Sequence, residues 1–232
     1  MKNNNNKKIR TALITGKHPF DIPNLYKLFK SFDNVEFYPQ NLDDYISDWG
    51  NCRKFYDVLI FYNFHQDTPT DAKSNENTEK YVNNKLESIY MKDILNELGE
   101  YEQGLFFLHH GILAFPEWEY WSNIIGIKDR SFGYHFDYKF QINITNNEHP
   151  ITKGLKSWEQ IDETYTMKDP DSNSDIILSS DDPKSMNAIA WTRKYKNSKV
   201  LCYQSGHDNE VYANPNFKKI IYRGINWLAN RI

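Results

Sequence analysis

The sequence predicts an α/β fold, a three-layer, flavodoxin-like sandwich around a mainly parallel, doubly wound sheet with antiparallel additions. Three observations predict it. The runs "IRTALIT" (9–15), "YDVLIFYN" (56–63) and "GLFFLH" (104–109) are short, apolar and bounded by Gly, Pro and Asn, as strands covered on both faces are. Helical spacing of apolar residues separates them, and strand alternating with helix favours parallel pairing. Beyond residue 130 the period shortens to two, which adds antiparallel strands between 135 and 195.

In chain order, the polar stretch "MKNNNNKK" (1–8) is a disordered leader, and 9–232 reads as one domain. Strand 9–15 is followed by a helix from Asn24 to Phe32 and by strand 56–63. The loop "FHQDTPTDAKSNENTEK" (64–80) exceeds the usual connection of about 4–6 residues. A helix over 79–98 places Leu86, Ile89, Tyr90, Ile94, Leu95 and Leu98 at helical spacing and stops at Gly99. Strand 104–109 comes next, then strands over 136–145, 174–180 and 187–195. A buried strand lies in 198–208, and a last helix is capped by Asn214 with Pro215 in its first turn.

Composition narrows the function. Lys and Arg total 28 against 31 Asp and Glu, a net charge of -3, with no basic stripe, so nucleic acid is not an expected partner. No apolar run suits a signal peptide or a membrane span, and a cytoplasmic protein without membrane contact is expected. Cys52 and Cys202 form no disulfide framework or CxxC knuckle. The 16 Tyr, 14 Phe and 6 Trp leave a homo-oligomer open.

Ligands of open α/β sheets gather at the carboxyl ends of the strands. His18, His65, His109, His110 and His207 all follow strands. Converging imidazoles can relay protons, bind a divalent metal or hydrogen-bond a polyhydroxy ligand, although their spacing matches no compact motif such as HExxH. The segment "IDETYTM" (161–167) adds Asp162, Glu163 and Tyr165, in an acidic turn that could orient an imidazole or accept from a sugar hydroxyl. Because neighbours on an extended chain point oppositely, His110 is expected in the cleft and His109 behind it. His110, His207 and Glu163, with His109, are the candidate catalytic residues, and His110, Glu163 and His207 are the candidate holders of a metal. His18, His65, Trp118, Tyr165 and Asp208 are candidate substrate contacts, and Phe115 and Trp121 could add apolar walls for a pyranose. Gly111 is expected at a tight strand-to-helix elbow.

Four segments, "GLFFLHHGILAFPEW", "HPITKGL", "DETYTM" and "GHDNEVYANPNFKKIIYRGINWLAN", resemble in order the ThuA-like (trehalose utilisation) family of the class I glutamine amidotransferase-like superfamily. The resemblance spans about 9–231 and is strongest from 104. It implies the amidotransferase-like fold, in which an elbow after the central strand presents a nucleophilic cysteine and a late histidine activates it. Here the elbow falls on His109 or His110 and His207 takes the activating place, so glutamine hydrolysis through a thioester is not expected. The resemblance implies a link with trehalose and related disaccharides, through keto-sugar intermediates. Two readings follow: an enzyme acting on a disaccharide or keto-sugar through a His/Glu site, or a non-catalytic sugar-binding or regulatory module.

Overall fold

The computed structural model of the chain describes residues 7–47, 52–70 and 86–232, with side chains of 86–90 excepted. The expected disordered leader up to residue 6 and the loop and helix stretch 71–85 therefore lie outside the described residues. The strands are β1 (Ile9–Gly16), β2 (Val35–Asn41), β3 (Val58–Asn63), β4 (Gly104–Leu108), β5 (Gly133–Ile144), β6 (Trp158–Thr166), β7 (Asp175–Ser179), β8 (Ala188–Tyr195) and β9 (Ser198–Tyr203). They form one sheet in the order β2-β1-β3-β4-β9-β8-β7-β5-β6. The first five in that order run parallel, and the rest pair antiparallel.

Every residue of β3 and β4 is buried, because helices cover both faces of the sheet. On one face α1 (Ile22–Lys30) and α6 (Pro215–Leu228) bring Leu25, Phe29, Phe217, Ile221 and Ile225 onto Leu13, Ile60, Phe106 and Leu201. On the other, α2 (Leu42–Ile46), α3 (Leu86–Asn96) and α4 (Glu119–Ile125) set Leu42, Leu95, Trp121 and Ile124 against Ile14, Leu59, Phe107 and Cys202. The odd and even residues of each strand thus feed different cores, the signature of the three-layer sandwich.

Caps set the helix ends. Asp21 accepts from the amide of Asn24 and starts α1 two residues before the expected Asn24. Asn214 accepts from the amides of Asn216 and Phe217 and, with Pro215, starts α6. The final strand stops at Tyr203, leaving 204–208 as a loop.

Two strands lie outside the sequence expectations. β2 carries Pro39 and is only partly buried, which suits the sheet edge it occupies. β6 includes the residues expected as an acidic turn. Although β6 ends the sheet order, the arm it makes with β5 curls back to the sheet centre, where it packs on α5 (Asn209–Ala213) and on the loop after β9.

Candidate functional site

At Leu108 the chain leaves the extended conformation, and His109 adopts φ +51 at the start of a single 3-10 turn, His109–Ile112. A left-handed histidine is held in place only by its surroundings. Gly111 packs so tightly that a Cβ there would overlap the carbonyl oxygen of Phe61. Trp121 Nε1 donates to the Gly111 carbonyl at 3.1 Å and pins the turn from the other side.

Because the strand ends at Leu108, strand alternation does not govern the two histidines. His109, not His110, faces Glu163 and His207, which corrects the sequence expectation. The fully buried His109 donates from Nδ1 to the Gln204 carbonyl at 2.8 Å, because a carbonyl only accepts. His110 turns the other way and donates from Nε2 to the Tyr62 carbonyl at 3.0 Å. Its ring lies 4.2 Å from the Tyr62 ring and 4.4 Å from His18, and burial holds its pKa well below the usual histidine value.

The second side of the site is the loop after β9. Gly206, at φ +137, lets this loop pass against His109, and its carbonyl accepts from Tyr62 Oη at 2.7 Å. The third side is β6. Asp162 is buried and its two oxygens accept from the amides of Glu163 (2.9 Å), Gly206 (2.9 Å) and His207 (3.0 Å). Burial outweighs these bonds and raises its pKa.

Glu163 is the hub. Its Oε2 lies 3.1 Å from His109 Nε2 and 3.2 Å from His207 Nδ1, and accepts from Tyr165 Oη at 3.0 Å. His109 Nε2 is 3.3 Å from His207 Nδ1 and 2.9 Å from Tyr165 Oη. Burial pushes the Glu163 pKa up, but the bonds and charges of His109 and His207 win and hold the carboxyl well below the usual carboxylate range. The bond to Glu163 raises the pKa of the half-buried His207 against the pull of burial. Among the described residues, His109, Glu163 and His207 gather metal-ligand donor atoms in one place.

The remaining candidates divide. Tyr165 joins the hub, and His18 lies beside it, 6.2 Å between its ring and that of His207. Burial lowers the His18 pKa. Phe115, Trp118 and Trp121 do not wall the site; they stack on one another within the core on the α4 face. Asp208 turns its carboxylate to the amide of Glu210 and caps α5. His65 stacks on Phe115 and lines a neighbouring pocket with Lys17, Asp43 and Met91.

The aromatic wall is made by residues the sequence reading passed over. Phe132, Tyr134 and Phe136 are 36%, 55% and 56% exposed. Phe136 lies 5.4 Å from the His207 ring, Phe132 5.6 Å from Tyr165, and Phe64 5.5 Å from His18 and 6.4 Å from Phe132, centroid to centroid. A bulge between His135 and Tyr138, with Asp137 at φ +47, bends β5 where this rim forms. The signal was there in "SFGYHF", with an aromatic ring at every second position.

The model of the ThuA family, described as trehalose utilisation, matches residues 27–228. No curated protein matches the chain. Among solved structures, a ThuA-like protein from Parabacteroides merdae superposes with a TM-score of 0.69 at 17% identity, covering 96% of this chain and 90% of that one. A ThuA-like protein from Bacteroides uniformis gives 0.67 at 16%, covering 96% and 92%. A glutamine amidotransferase from Thermotoga maritima gives 0.53 at 9%, covering 95% and 98%. At these identities the structures show a shared fold, with the amidotransferase-like sheet among its relatives.

Proposed function

The chain belongs to the ThuA, trehalose-utilisation family, and from that premise we propose that it is an enzyme acting on a disaccharide or keto-sugar through His207, Glu163 and His109. The observation that carries the reading is a partly exposed imidazole, hydrogen-bonded to a buried carboxylate, beside a rim of exposed aromatic rings. Such rings stack on the C–H faces of a pyranose, while buried polar groups beside them select its hydroxyls.

Roles follow from the geometry. His207 turns Nδ1 to Glu163, which leaves Nε2 for a substrate hydroxyl or carbonyl, and the carboxylate strengthens it as a base. Asp162 fixes the backbone of His207 and Glu163 at once, and Tyr165 steadies the Glu163 carboxylate. His18 stands close enough to bind a neighbouring hydroxyl. The elbow presents an imidazole where the amidotransferases have a thiol, while Cys202 is buried inside β9 and Cys52 lies in the turn before β3.

The test is NMR of trehalose, sucrose and their 3-keto forms with the protein. Product from one of these sugars, lost in His207→Ala, is the expected result. Saturable binding without product would assign the protein as a sugar-binding module, and neither binding nor turnover would overturn the carbohydrate reading.

A further inference from the structure

Three potential ligand atoms meet at one point beneath the rim. His109 Nε2, Glu163 Oε2 and His207 Nδ1 are separated by 3.1, 3.2 and 3.3 Å, nearly an equilateral triangle. Its corners lie about 1.9 Å from their common centre, a little less than the zinc–imidazole and zinc–carboxylate bond of about 2.0–2.2 Å. A cation slightly above the plane therefore reaches all three without moving any of them.

The way the three residues are held agrees with this. The Gln204 carbonyl accepts from His109 Nδ1 at 2.8 Å, which turns Nε2 into the triangle, and a bond of this kind to a backbone carbonyl is how metal-bound histidines are oriented. The Asp162 carboxylate accepts from the backbone amides of Glu163 and His207, so all three residues are fixed by bonds outside the triangle. A cation at the centre takes one lone pair from each.

We propose that His109, Glu163 and His207 form a three-ligand site for one divalent transition-metal cation of the zinc class, with the fourth position left for water or a substrate oxygen. Two imidazoles and one carboxylate suit such ions better than calcium or magnesium, which take mainly oxygen ligands. As a catalytic device the site rests on the carbohydrate reading above, except that with Nδ1 on the cation His207 keeps its proton on Nε2 and donates to the substrate oxygen there; as a binding site it stands on the triangle alone.

The experiment titrates metal-stripped protein with Zn2+ against a chromophoric chelator and repeats the titration with Co2+ to read its visible absorption. One equivalent of Zn2+ is expected, with a Co2+ spectrum showing nitrogen and oxygen ligands. Glu163→Gln and His207→Gln, each checked for the native fold by circular dichroism, should weaken zinc binding at least 100-fold. His135→Gln and Cys52→Ser remove an imidazole and a thiol elsewhere and should leave it unchanged. A folded wild type that takes up no stoichiometric zinc, or a folded Glu163→Gln that binds as tightly as wild type, overturns the site and leaves the triangle as a hydrogen-bonded cluster. Zinc uptake with no sugar response supports the metal centre and removes only the carbohydrate reading. A sugar response without zinc uptake does the reverse.

Discussion

The parallel centre of the sheet and the antiparallel β5–β6 arm bury their residues in opposite ways. In β3 and β4 the buried side chains are apolar except for Asn63 at the strand end. In β6 the buried face carries Gln160, Asp162 and Thr164, Glu163 is buried beside them, and Ile161 is 41% exposed. The centre holds the elbow rigid, and the arm brings acids to it. Stability and chemistry therefore rest on different strands, and substitutions in the two regions should separate them.

The largest effect is expected in the centre. Gly111→Val drives a branched side chain into the backbone of Phe61, which cannot step aside because β3 is packed on both faces. A loss of about 3–5 kcal/mol of stability is expected. Gly154→Ala is the control: nothing lies within 4 Å of its Cβ position, so only the strain of φ +72 remains, costing about 1 kcal/mol. Equal shifts in denaturation midpoint for the two would mean that the elbow is not the rigid part of the molecule.

The arm should respond differently. Asp162→Ala leaves the buried amides of Glu163, Gly206 and His207 without their acceptor, at a cost of about 2–3 kcal/mol. Glu163→Gln keeps shape and volume, so its stability cost should be the smaller, while turnover falls about 100-fold or more if proton transfer passes through His207. Urea denaturation and the sugar assay on the same two variants check this. An Asp162→Ala protein as stable as wild type would show that the arm is only loosely tied to the loop after β9.

The same contrast explains what could be read from the sequence. β1, β3, β4 and α6 were legible because a strand buried on both faces, or a helix buried on one, writes its environment directly into apolar periodicity. β6 was not, since its buried face meets a polar site: Gln160, Asp162 and Thr164 break the alternation that marks a strand, and "WEQIDETYT" reads as a solvated turn. The five strand-end histidines could be picked out by position, yet which of His109 and His110 faces the acids could not. That choice depends on one left-handed residue just past the strand, where period two no longer applies.

The smallest effect sharpens the comparison from the far side of the strand-end platform. His65 follows β3, packs on Phe115 and hydrogen-bonds through Nδ1 to the Asn63 amide, while its Nε2 is buried without a partner. Burial lowers its pKa to about 4, with Lys17 acting in the same direction and Asp43 and Asp67 opposing it. In the unfolded chain the pKa returns to about 6.5, so between those two values the unfolded state binds a proton that the folded state refuses. The neutral ring's contribution is complete above pH 6.5 and is lost as the pH falls toward 4. His65→Gln should therefore lose less stability than wild type between pH 7 and pH 4.5, measured as the change in denaturation midpoint. His149 is lowered by burial too, so the slope should shrink rather than vanish. An unchanged slope would mean that His65 opens to water more readily than its packing on Phe115 implies, and that the platform beside the site is softer than the centre beneath it.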